Sequence, residues 1–143
     1  MFMTPVTVAV FNAHADTVAM LHLALQHAGF TTIDAPLREF DRGTASALAF
    51  LRTHDPDVVV YDVSPPFERS ASFCCDVQEA DDQRAWIITS TNPARTELDL
   101  RGRAELYELI GKPYDLDHVV AAVHRAALKT GALRARRDDP QSL

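Results

Sequence analysis

Short apolar runs alternate with helical patterns along this chain, and that alternation restricts its fold more than any other feature. Runs at residues 6–11, 31–34, 57–61, 85–89 and 107–110 read as strands. Helical patterns occupy residues 16–28, 44–53, 69–79, 93–101 and 115–129. Five strands and five helices in strict alternation predict a doubly wound parallel α/β sheet, covered on both faces.

The first helix is signalled by Asp16 as an N-cap, by Val18, Leu21, Leu25 and Ala28 on one face, and by Gly29 as a stop. The last has Asp115 as cap, a buried stripe of Leu116, Val119, Val120, Val123 and Ala127, and Arg125 and Lys129 near its negative end. The fourth starts well, with Asn92 as cap and Pro93 in the first turn, but only Leu98 and Leu100 are sizeable apolar residues, so it is expected to be short. The link at 35–43 is expected to be pinned by Leu37 and Phe40. The domain is expected to span residues 1–130, with 131–143 as a short, disordered C-terminal tail.

With 143 residues, 47% apolar and 24% charged, the chain has material for one full core. A net charge of -6, with no Lys/Arg cluster before the tail, argues against a nucleic-acid partner. The apolar runs fall far short of the ~20 residues a membrane span needs, and Met1 to Pro5 is too short and uncharged for a secretion signal. The expected location is the cytoplasm. Cys74 and Cys75 are adjacent and make no disulfide framework.

Function is expected where strand ends converge. In a parallel α/β sheet, ligands sit outside the carboxyl ends of the strands, at the switch point of strand order. Asn12, Asp62, Ser90 and Lys112 each follow a strand there. Any one alone is ordinary: Asp62 as a loop cap, Lys112 as a surface lysine, Ser90 as a backbone partner. Four in series are not. Elsewhere, His22, His27, His118 and His124 have no converging ligand spacing, and His14 with Asp16 makes no persuasive metal pair once Asp16 is read as a cap.

An acid, a hydroxyl and an amine in that order, Asp62, Ser90 and Lys112, resemble the receiver domain of bacterial two-component response regulators. The resemblance runs from Val6 to about Leu128, and its most specific local match is Lys112-Pro113-Tyr114-Asp115-Leu116. It implies a flavodoxin-like sheet of order 2-1-3-4-5. It also implies that Asp62 is the phosphoacceptor equivalent, that Ser90 and Lys112 are phosphoryl contacts, that Pro66 is the loop proline, and that Pro113 follows a cis peptide. Four positions depart from the pattern. Asn12 and Ala13 stand where an acidic pair holds Mg²⁺, Phe67 replaces a loop glycine, and Leu109 replaces the switch aromatic. Mg²⁺ wants octahedral oxygen ligands including a carboxylate, and it offsets charge in phosphoryl transfer. The expectation is therefore an atypical receiver, a pseudo-receiver: not an enzyme, with no cofactor, with Mg²⁺ binding weak or absent, acting through protein contacts.

Two rivals remain. One is a working phosphoacceptor receiver in a phosphorelay, modified on Asp62. The other is a small α/β enzyme or ligand-binding domain using the same crevice, although no Gly-rich phosphate loop, Ser/His/Asp arrangement or metal motif supports it. Expected partners are proteins, such as a histidine kinase or another signalling protein, or a second copy. Met20, Leu23 and His27 on the first helix, and Ala121 and Leu128 on the last, point away from the core stripes and mark the expected contact face, with the fourth helix, fifth strand and fifth helix as the competing surface.

Overall fold

The computed structural model describes residues 5–36, 43–81, 83–100 and 107–138. Its elements alternate: β1 (Thr7–Asn12), α1 (Ala15–His27), β2 (Thr31–Pro36), α2 (Thr44–His54), β3 (Val58–Val63), α3 (Phe67–Ala80), β4 (Ala85–Ser90), α4 (Pro93–Leu100), β5 (Glu108–Gly111) and α5 (Leu116–Asp138). The strands form one parallel sheet in the order β2-β1-β3-β4-β5. The expected α/β sheet and its strand order are both present.

Period-two alternation splits the core in two. Ala9, Phe11, Val59, Tyr61, Trp86 and Ile88 pack with α2, α3 and Leu100 of α4. Val8, Val10, Val58, Val60, Ile87 and Ile110 pack on the other face with Leu21 and Leu25 of α1 and with Val119, Val123 and Ala126 of α5. The central strands are apolar throughout because both faces are covered. Cys74 and Cys75 are both buried as thiols in the α3 side of the core, and burial pushes the Cys74 thiol up, so both act as small apolar fillers.

Several local signals hold. Gly29 ends α1 with φ +98, a region that glycine enters without a Cβ penalty. Asn92 Oδ1 accepts the Arg95 N–H at 3.2 Å at the start of α4. The Lys112–Pro113 peptide is cis, as is Pro65–Pro66.

Two expectations are corrected. Asp16 does not cap α1. The helix starts earlier, with His14 at the N-cap and no side-chain cap bond, and Asp16 lies in the first turn, where its charge suits the helix dipole. The chain after residue 130 is not an irregular tail: α5 continues through Asp138. Gly131 costs a helix only about 1 kcal/mol relative to Ala, and the Ala, Leu and Arg residues that follow are strong helix formers. Residues 139–143, Leu37, Phe40, Arg101 and Gly102 lie outside the described residues. No described helix is long and apolar enough to cross a membrane.

Candidate functional site

The crevice is built by register. Asp62 and Thr89 are Cα partners across β3 and β4, and Ser90 and Gly111 are partners across β4 and β5. By alternation, Asn12, Asp62, Thr89 and Lys112 share the face of α1 and α5, whereas Ser90, Gly111 and Leu109 share the face of α4.

Asp62 is 2% exposed at the end of the apolar β3. Its Oδ1 receives two donors: the Lys112 ammonium at 2.7 Å and the Thr89 hydroxyl at 2.7 Å. Its Oδ2 is buried without a hydrogen-bond partner. A buried carboxylate oxygen left bare is costly, so the two bonds to Oδ1 carry the compensation. Tyr114 is the next element of the wall. Burial raises its hydroxyl pKa, and the nearby Asp62 charge raises it further. On the opposite face, the Tyr61 hydroxyl donates to the Ser70 carbonyl at 3.0 Å, fixing β3 to α3 beside the site.

Of the residues expected to converge, the structure brings Asp62 and Lys112 into contact and leaves Ser90 apart. Ser90 is fully buried; its Oγ lies 2.7 Å from Thr96 Oγ1 and accepts the Asn92 N–H at 3.0 Å. The hydroxyl on Asp62 belongs to Thr89, a residue the sequence reading passed over. The sequence signal for it was the alternation itself: Asp62 and Thr89 lie on one face, and Ser90 on the other.

Asn12 is 3% exposed, and its Oδ1 accepts the His14 N–H at 2.8 Å. Ala13 supplies no side-chain ligand. Leu109, at the switch position, packs into the α4-side core. Among the described residues, no group of three His, Cys, Asp or Glu side chains could hold a metal ion. The donor set does not fit Mg²⁺. Among the described residues, Asp62 is the one carboxylate placed in the crevice, its charge is matched by Lys112, and the Asn12 amide oxygen already serves the backbone.

No protein-family model matches the chain, and no curated protein matches it. Solved structures do resemble it. A signal receiver domain of an HD domain-containing protein from Pseudomonas fluorescens Pf-5 superposes with TM-score 0.74 at 15% identity, covering 90% of this chain and 99% of that one. A response regulator from Thermotoga maritima gives 0.70 at 23% identity, covering 87% and 99%. NtrX from Brucella abortus gives 0.73 at 20% identity, with 94% of this chain matching 29% of that one. The chain has the fold of these receiver domains, built here on a sequence that shares at most 23% with the three.

Proposed function

We propose that this protein is a pseudo-receiver, a signalling module that works through protein contacts and is not phosphorylated through Mg²⁺. The observation that carries this reading is the Asp62–Lys112 pair at 2.7 Å beside a neutral Asn12 and Ala13. In a metal-dependent acceptor, a dication offsets the charge gathered by transfer. Here the amine is the counterion, so the crevice has little net charge with which to draw a dication. The module has no catalytic role of its own, takes no cofactor, and has a protein partner or a second copy of itself as its ligand. Met20, Leu23 and Leu128, at 53%, 68% and 77% exposure, support α1 and α5 as the contact face.

The bare Asp62 Oδ2 favours one alternative, a slow phosphoacceptor, because that oxygen gives up no hydrogen bond once the crevice opens to a phosphodonor. Incubation with acetyl phosphate and Mg²⁺, followed by intact mass measurement, separates the two. The pseudo-receiver reading expects no substantial population one phosphoryl group heavier. A clear increase that disappears in Asp62→Asn supports the acceptor instead.

A further inference from the structure

Among the described residues, five buried side-chain atoms have no hydrogen-bond partner. Three of the five belong to two residues: Oε1 and Nε2 of Gln78 on α3, and Nε1 of Trp86 on β4. Gln78 is 8% exposed and Trp86 2%. A buried donor or acceptor without a partner loses its hydration and gains nothing in return, so three in one place point to something that bonds them.

The chain sets these two residues side by side, far from the crevice. Helix α3 leaves the end of β3 and finishes just before β4 begins, so it runs antiparallel to β4. Near that end, Arg84 donates to Asp81 Oδ2 from Nη2 at 3.0 Å and from Nε at 3.3 Å. Trp86 lies two residues beyond Arg84 on the strand, on the same face, about 6.6 Å along. Gln78 lies three residues before Asp81, about 4.5 Å along a helix and on the same side of it. One step inward from the Arg84–Asp81 contact therefore brings the Gln78 amide opposite the Trp86 indole. Cys74, Cys75 and Val77 pack in the same cluster as Trp86 and make the inner side apolar. On the outer side, Arg84 is 4% exposed and also bonds Asp55 Oδ1 at 2.8 Å and the Pro56 carbonyl at 2.7 Å.

The donor set defines what fits. Trp86 offers one N–H, and the Gln78 amide offers donors and an acceptor. Neither carries charge, and the charges of Arg84 and Asp81 already face each other, so an ion would find no counterion here. An apolar occupant would leave all three atoms bare. A water molecule accepts from Trp86 Nε1 and Gln78 Nε2 and donates to Gln78 Oε1, making the three bonds usual for buried water. We propose that Gln78 and Trp86 form an internal binding site for a single water molecule, which joins α3 to β4. The inference uses neither Asp62 nor its chemistry, so it stands or falls separately from the proposed function.

NMR on the whole chain tests it without a variant. Trp86 is the sole tryptophan, so its indole N–H gives one assignable signal. That proton is expected to show a cross-peak to water with the sign of a molecule that tumbles with the protein. Gln78→Leu is expected to abolish the cross-peak and to lower the melting temperature, because the indole and the water each lose a partner. The proposal is overturned if the wild-type indole shows no such cross-peak, if a direct bond from Trp86 Nε1 to the Gln78 carbonyl oxygen replaces it, or if Gln78→Leu raises the melting temperature, the result expected when the atoms are merely stranded.

Discussion

Asp62 and Thr89 face each other as Cα partners across β3 and β4, and the Thr89 hydroxyl donates to Asp62 Oδ1 at 2.7 Å. Lys112 reaches the same oxygen, which leaves Oδ2 alone in the core. Asp62 is therefore held from within the protein by two donors, one on β4 and one just past the end of β5.

Thr89→Val removes one donor from a buried carboxylate and should cost roughly 1.5–3 kcal/mol, the range for hydrogen bonds to charged groups. The adjacent Ser90→Ala should also destabilise, through Thr96 and not through Asp62. Chemical denaturation in an Asp62→Ala background distinguishes them: most of the Thr89 effect should vanish there, and the Ser90 effect should persist.

Lys112→Ala should be the more damaging half of the ion pair. It leaves Asp62 buried and opposed only by a hydroxyl. Breaking a fully buried pair costs about 3–5 kcal/mol, and the 20% exposure of the Lys112 side chain lowers the expectation to roughly 2–3. The double variant Asp62→Ala/Lys112→Ala removes the stranded charge and should be more stable than Lys112→Ala alone. Equal or lower stability of the double variant would show that the pair is not the charge balance of the crevice.

Glu108 gives a pH dependence of defined sign. Burial raises its carboxyl pKa, but Arg125 at 2.6 Å and His118 at 3.0 Å outweigh burial and hold it below the ordinary 4.5. A carboxyl depressed in the folded state contributes stability above the unfolded value, and that stability is lost as pH falls through the folded value. The melting temperatures of wild type and Glu108→Gln should therefore differ most at neutral pH and converge below pH 4.5. A gap that stays constant into acid would assign the difference to packing.

Leu23 and Leu128 test the contact face. If α1 and α5 mediate a homodimer, Leu23→Glu should shift sedimentation toward monomer and lower the melting temperature only by the lost association, leaving the folded monomer's circular dichroism unchanged, because Leu23 is 68% exposed and contributes little to the core. An unchanged oligomeric state and unchanged partner binding would remove α1 from the account.

The strands were legible because both faces of the sheet are covered, which makes them continuous apolar runs, and Asp62 and Lys112 were legible as single polar residues ending such runs. The hydroxyl that bonds Asp62 lies one position before Ser90 for a physical reason. Reading β4 as ending at Thr89 leaves Ser90 free to turn into the crevice. In fact β4 continues through Ser90, paired with Gly111, and one residue along a strand changes the face. Thr96 was invisible for a related reason: it is buried through a hydroxyl partner, and hydrophobic patterning does not register polar pairs. The extension of α5 was missed because the residues after Gly131 were read as a short solvated tail, although a single glycine inside a run of good helix formers is tolerated.

In the proposed pseudo-receiver the Lys112 amine, and not a metal ion, balances Asp62. Thermal melts of the wild-type protein in EDTA and in ~10 mM Mg²⁺ test it most directly, because a ligand stabilises a fold only by binding it. A site with a dissociation constant near 0.1 mM would add about 2.7 kcal/mol and raise the midpoint by roughly 10 °C. The two melting curves should coincide; a rise of several degrees with Mg²⁺, lost in Asp62→Asn, would show that a metal ion balances Asp62 instead.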